Sequence, residues 1–331
     1  MSTSTRTIRL GTRGSPLARA QTDLTCAALK KAHPSINVEI KVIKTSGDWK
    51  PEHGEKRLSE VEGGKGLFAK EIQKALLAGE VDAAVHSMKD MDSHSPDGLV
   101  IKHMLPREDV RDAFLLNKRI NLADNSQFKN DPYSALKEGA VVGAASVRRT
   151  AMLKHVRPDV SVVPIRGNVQ TRIEKLRGED TTFGIDATFL ALAGLKRLGL
   201  EEEVDIVLDP EFMLPAAGQG AVGIETRVED NEVSALFDAI SDRETVLCVS
   251  AERAALKVLD GSCHTPIGAY AQLEGDKMWL RLCVAALDGS EMFSDEVSGT
   301  VGSVEDANVL GRDLATELKK RVPQEILGHA A

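Results

Sequence analysis

A short run from Val81 to Val85, broken off by His86-Ser87-Met88-Lys89-Asp90, constrains this chain more than any other stretch. Apolar runs of that length read as strands buried on both faces of an α/β sheet. In open sheets of that kind, ligands bind beyond the carboxyl ends of the strands. Lys89 and Asp90 would then stand where a buried strand hands its chain to solvent, one cation and one carboxylate in a partly dry crevice. On this segment alone a surface salt bridge, common and weak, explains them as well. The rest of the chain decides.

A length of 331 residues allows two or three domains with a core in each. The first residues, Met1-Ser2-Thr3-Ser4-Thr5-Arg6, contain no apolar segment of the secretory kind, and no apolar run approaches a membrane span. Cys26, Cys248, Cys263 and Cys283 are far apart and lack metal-type or redox-type spacing, which fits reduced thiols in a cytoplasm and no metal site. A net charge of −8 argues against nucleic acid or an anionic membrane as partner. Anion binding would therefore need a local concentration of arginines.

Thr7-Ile8-Arg9-Leu10 reads as a first strand, followed by Gly11-Thr12-Arg13-Gly14. Ser15 suits an N-cap and Pro16 a first helical position. Arg13 and Ser15 thus fall at a strand-to-helix junction, where free backbone N–H groups favour anions. A plain helix cap explains Ser15 equally well but leaves Arg13 without a task. Val38 to Lys44 alternates and predicts a second strand. Thr45 to Gly64 is polar and aperiodic, and reads as a mobile lid. A helix from Leu67 to Leu77, closed by Gly79, feeds the run at Val81, and Leu99 to Met104 predicts a further strand.

From Gly143 to Arg177 the chain carries eight cations (Arg148, Arg149, Lys154, Arg157, Arg166, Arg172, Lys175 and Arg177) against two carboxylates, Asp159 and Glu174. Such runs are usually solvated faces, and the lysines with Arg157 and Arg177 fit that. Arg148, Arg149, Arg166 and Arg172 differ, because they cluster where predicted strands run into helices capped by Ser146 and Asn168. A guanidinium at a helix N-terminus opposes the macrodipole, so its placement there calls for an anion.

Gly218-Gln219-Gly220-Ala221-Val222-Gly223 matches the spacing of a dinucleotide fingerprint, but Ala221 to Thr226 itself reads as a strand and not as a helix start. Lys65 is no P-loop lysine, since no Ser or Thr follows it. A last region combines a helix from Glu244 to Leu259, strands Ile267 to Leu273 and Met278 to Leu287, and a helix from about Val304 to Lys320. Cys263 lies there in a Gly- and Pro-flanked loop, while the other cysteines fall in helical or strand patterns. Access is a requirement for a reactive thiol.

Eight blocks in order resemble the hydroxymethylbilane synthase, or porphobilinogen deaminase, family over nearly the whole chain. They are Gly11 to Ala18, Gly64 to Glu71, Ala84 to Asp90, Ser146 to Arg149, Arg166 to Val169, Leu192 to Gly199, Gly218 to Glu225 and Gly261 to Gly268. The resemblance implies an α/β fold of two periplasmic-binding-protein-like lobes plus a small C-terminal α+β domain. The first lobe would take residues 1–105 and 216–240, the second 106–215, and the C-terminal domain 241–331. It implies a monomeric enzyme that condenses four porphobilinogen molecules head to tail, releases ammonia at each step and frees a linear tetrapyrrole with water. A dipyrromethane cofactor would be held by a thioether to Cys263, and Asp90 would be the catalytic carboxylate. Arg13, Ser15, Lys89, Ser146, Arg148, Arg149, Arg166, Arg172 and Arg197 would hold cofactor and substrate. Ala144 and Ala145 stand where hydroxyl residues are common in the family, and Arg177 to Ile185 is longer than usual; neither departure touches Asp90 or Cys263.

Two other readings use the same residues. A non-enzymatic, two-lobed anion-binding protein would need the arginines but no exposed cysteine. A hydrolase using Cys263 and His264 would need adjacent side chains to converge, and on an extended loop they diverge.

Overall fold

Residues 6–45, 55, 69–120, 128, 130–178, 184–259 and 265–327 are described by the computed structural model of this chain. Cys263, Lys65, the block from Gly64 to Phe68 and the lid expected over 45–64, apart from Thr45 and Glu55, lie outside them.

The chain opens with β1 (Thr7–Thr12), α1 (Pro16–Ala32), β2 (Asn37–Val42), α2 (Lys70–Leu77), β3 (Ala83–Ser87) and β4 (Leu99–Met104). It then crosses to a second sheet through residues 105–111. There it forms β5 (Asp112–Leu116), β6 (Val141–Gly143), α3 (Val147–Val156), β7 (Ser161–Val163), α4 (Val169–Arg177), β8 (Ala187–Ala191), α5 (Leu192–Leu198) and β9 (Ile206–Leu208). A second crossing returns it to the first sheet as β10 (Val222–Arg227), after which α6 (Asn231–Asp238) packs on that side.

The two five-stranded sheets share one plan. The first runs β2-β1-β3-β10-β4 and the second β7-β6-β8-β5-β9. In each, three parallel strands are followed by an antiparallel strand that enters directly from a crossing. Parallel strands buried on both faces require apolar sequences, and β3 and β8 meet this with nearly every residue buried. Ile8, Leu10, Val85, Ile224 and Phe237 share one core, and Phe114, Phe189, Tyr133 and Leu153 another.

The remainder is a small α+β unit. It comprises α7 (Arg243–Val258), the antiparallel sheet β11 (Ile267–Glu274), β12 (Lys277–Ala285) and β13 (Met292–Thr300), then α8 (Val304–Lys319) and α9 (Gln324–Leu327). Leu247, Ala251 and Leu314 pack with Leu280 and Leu282 in its core. Two α/β lobes with a C-terminal α+β domain are thus the architecture expected from the sequence. The strand expected over Val81–Val85 begins two residues later, because Asp82 is drawn off to Arg9, whose backbone N–H and guanidinium both donate to it.

Candidate active site

β3 ends at Ser87 and passes into a single 3-10 turn, Met88–Asp90. Met88 is the buried foot of that turn and packs with Met104, Ala221 and Val249. Its room is made by Gly218 of the second crossing and Gly223 of β10: a Cβ on Gly223 would lie 2.1 Å from the Met88 Sδ. The turn therefore points Lys89 and Asp90 away from the core, with Lys89 half-buried and Asp90 exposed. Ser87 is held from α1, where the buried Gln21 donates to its Oγ at 2.9 Å.

The facing wall comes from the second lobe. Ser146 caps α3, accepting from the Arg149 N–H, and Asn168 caps α4, accepting from the Thr171 N–H at 2.9 Å. Ser15 caps α1 in the same way, accepting from the Ala18 N–H at 3.3 Å. These caps place Arg148 and Arg149 in the first turn of α3 and Arg172 in the first turn of α4. Arg148, Arg149 and Arg166 are buried, and Arg172 is half-buried.

The anion that the helix dipole calls for is partly internal. Asp112, fully buried at the start of β5, accepts from Arg148 at 2.7 Å and from Arg149 at 2.6 Å. Gln219 donates to the same carboxylate at 2.9 Å. Burial opposes ionisation of Asp112, but the two guanidiniums outweigh it and hold its pKa well below the usual carboxylate range. Arg148 also donates to the Leu214 carbonyl and Arg149 to that of Phe189. The sequence presents Asp112 only as one carboxylate in an otherwise apolar strand. Its role depends on arginines 36 and 37 residues away.

The two lobes meet electrostatically at Lys89. Burial pushes its pKa down to about 8, Asp90 opposes that, and Arg149 and Arg148 of the other lobe add to it. Arg172 is pushed down to about 10 by burial and by Arg149, with Asp90 opposing. Lys89 is part-exposed yet closely surrounded, which is the situation of a group on the floor of a cleft. Asp90, Lys89, Arg148, Arg149 and Arg172 are therefore brought together across it. Arg166 joins from the strand-to-helix junction before α4, where its backbone N–H donates to Glu55 at 2.5 Å and Lys175 pairs with the same carboxylate. Arg13 lies half-buried at the β1–α1 junction. Arg197 reaches from α5 to the crossings, donating to the Gly220 carbonyl at 2.6 Å and facing Glu108.

Six cations (Lys89, Arg148, Arg149, Arg166, Arg172 and Lys175) thus share three carboxylates (Asp90, Asp112 and Glu55) among the described residues, leaving three positive charges over. The Nε atoms of Arg148 and Arg149 are buried without a hydrogen-bond partner among the described residues. Buried donors without acceptors are rare in native proteins. This set fits a ligand bearing several carboxylates, for which the planar guanidinium is the matching partner. Among the described residues no cluster of His, Cys, Asp and Glu could hold a metal ion. Cys26, Cys248 and Cys283 are buried, and burial pushes the thiols of Cys248 and Cys283 up to about 12.

Comparison with known proteins agrees with this chemistry. The family "Porphobilinogen deaminase, dipyromethane cofactor binding domain" matches residues 8–235, and "Porphobilinogen deaminase, C-terminal domain" matches residues 246–320. The porphobilinogen deaminase of Paracoccus denitrificans is 48% identical over 320 residues, covering 96% of this chain and 95% of that one. That of Nitrobacter hamburgensis is 44% identical over 318 residues, covering 96% and 94%. Among solved structures, a TRAP periplasmic solute binding protein from Desulfovibrio salexigens aligns with a TM-score of 0.42 at 10% identity, over 73% of this chain and 74% of that one.

Proposed function

The chain belongs to the porphobilinogen deaminase family, and from that premise we propose how its residues divide the work. The enzyme is a deaminating transferase of tetrapyrrole biosynthesis. It condenses four porphobilinogen molecules head to tail, releasing ammonia, to give hydroxymethylbilane on a dipyrromethane primer. The alternative of a non-enzymatic anion-binding protein is not favoured, because the matched family domain is one that binds dipyrromethane.

Asp90 is the proposed catalytic carboxylate. Loss of ammonia from the aminomethyl arm of the substrate leaves an electrophilic azafulvene, whose positive charge is shared with the pyrrole N–H. A carboxylate facing that N–H stabilises the cation and the transition state leading to it, in the manner of preorganised electrostatic catalysis. The single observation that carries this reading is the position of Asp90: exposed at a strand end, yet coupled to Lys89 beside it and to Arg172 across the cleft. Lys89, Arg148, Arg149, Arg166 and Arg172 hold acetate and propionate groups, each charged hydrogen bond contributing roughly 1.5–3 kcal/mol. Arg13, Ser15, Ser146 and Arg197 border them. Cys263 is the proposed attachment point, and when bound the dipyrromethane supplies the pyrrole carbon to which the first unit is joined. A cytoplasmic monomer with no nucleic-acid or membrane partner completes the proposal, supported by the net charge of −8 and by the three buried free thiols.

Intact-mass measurement tests both assignments. Purified protein should carry a two-pyrrole adduct that is absent from Cys263→Ser. An active enzyme without the adduct would end the proposal. Asp90→Asn should lower turnover on the order of a hundredfold or more, the scale of losing a preorganised charge; near-normal turnover removes Asp90 from the mechanism.

A further inference from the structure

The direction of Asp90 depends on the backbone turn that carries it. Before it, Met88 anchors the turn among apolar neighbours. After it, the anchor comes from another domain. Arg253 of α7 donates through Nη1 to the carbonyl of Met91 at 3.3 Å and through Nη2 to that of Asp92 at 2.5 Å. These are the first two carbonyls beyond Asp90. The Met91 N–H in turn donates to the Met88 carbonyl at 3.2 Å, closing the turn that Arg253 grips from outside. The neighbouring residue, Glu252, serves a different purpose and binds the crossings between the lobes.

Resting on the assignment of Asp90 as the catalytic carboxylate, we infer that Arg253 is a positioning residue for it. Arg253 touches no reacting atom. It holds the chain leaving the turn so that the carboxylate keeps its direction towards the cleft, and it does so from the helix that precedes Cys263 in sequence. A planar guanidinium can bridge two successive carbonyls, whereas an ammonium on a flexible stem supplies a point charge.

The test is steady-state and single-turnover kinetics on cofactor-loaded enzyme, with the adduct checked by intact mass. Arg253→Ala should lower kcat on the order of tenfold to a hundredfold, the scale of a displacement near 1 Å, with KM for porphobilinogen within about twofold. Arg253→Lys should fall between that variant and the parent. In the Asp90→Asn background, Arg253→Ala should change the single-turnover rate by less than about twofold, since the group it positions is already gone. Unchanged kcat in Arg253→Ala beside a crippled Asp90→Asn overturns this inference alone, and full multiplicative losses in the double variant overturn it as well. Near-normal turnover of Asp90→Asn instead overturns the assignment on which it rests. Where Arg253→Ala fails to fold or to load, Arg253→Lys decides, and a parental kcat in that variant overturns the inference.

Discussion

Arg107, on the first crossing between the lobes, is bidentate to Glu252 on α7, at 2.7 and 3.0 Å. The same carboxylate accepts from the Gly218 N–H at 2.7 Å, on the second crossing, and from the Ala271 N–H of β11 at 2.9 Å. Arg107 also donates through Nε to the Gln219 carbonyl, and Gln219 holds Asp112. One fully buried carboxylate of the C-terminal domain therefore ties both passages between the lobes, and through them the floor of the arginine cluster.

Removing that charge should be expensive in stability. Glu252→Gln leaves the part-buried Arg107 without its counter-ion, and breaking a largely buried pair from one side destabilises by up to about 3–5 kcal/mol. A lowered midpoint of urea unfolding checks this; an unchanged midpoint would mean that the crossings are held by packing alone.

Asp112 governs acid sensitivity. Its folded pKa is depressed by Arg148 and Arg149, so its stabilising contribution is fully present above the ordinary aspartate value near 3.9 and is lost as pH falls towards the folded value. Asp112→Asn should remove this pH dependence and, by leaving two guanidiniums without their anion, lower stability by about 3–5 kcal/mol at neutral pH. Acid titration followed by circular dichroism should show a shallower loss between pH 4 and pH 2 in the variant, within the window set by these pKa values.

Lys89 changes stability with pH in the same direction as Asp112, but in a higher window. Its folded pKa of about 8 lies below the unfolded lysine value, so the folded chain binds fewer protons than the unfolded one between about pH 8 and 10.4. Its contribution to stability therefore rises with pH through that window and is least below it. A bound carboxylate should raise the pKa. Labelling of the Lys89 amine in protein lacking the dipyrromethane should show a midpoint near 8, shifting upward once the cofactor is loaded. Equal midpoints in both forms would place Lys89 outside the carboxylate-binding set.

Two glycines separate backbone strain from disturbance of the site. Gly218 has φ +70°, and a Cβ there would fall 2.7 Å from the Met88 Cβ and 3.1 Å from its carbonyl carbon. Gly199, at the end of α5, has φ +64° and nothing within 4 Å of such a Cβ. Both alanine variants should lose about 1–2 kcal/mol from the left-handed backbone. Only Gly218→Ala should also lower kcat, because it pushes on the turn that carries Asp90. Comparable kcat in both would separate Met88 from the aim of the carboxylate.

Much of this was legible from residue order. Ser15 followed by Pro16 announced α1, and the apolar-to-polar change after Val85 located the turn at Asp90. Ser294, Asp295, Glu296 and Ser298 give β13 a polar sequence that does not announce a strand; it is one because β12 pairs with it from Ala285 back to Lys277. Asp112 is hidden for a related reason, since its meaning arises only when α3 folds two arginines over it. Glu252 and Arg253 look like an ordinary charged helix surface, and only the packing of α7 against both crossings and the Asp90 turn gives them their tasks. The arginines are legible because guanidiniums at helix N-termini call for an anion, but nothing in residue order reveals that Asp112 supplies part of it.

β10 lies between β3 and β4, bonded to both, yet it is made after the entire second sheet. On a ribosome, β5 to β9 can assemble as soon as residue 208 has emerged, whereas the earlier sheet must wait with a gap between β3 and its edge strand β4 until residues 222–227 arrive. The half of the molecule synthesised first is thus the half completed later, and nascent chains halted between those two points should expose β3 and β4 as unpaired edges open to chaperones or to one another.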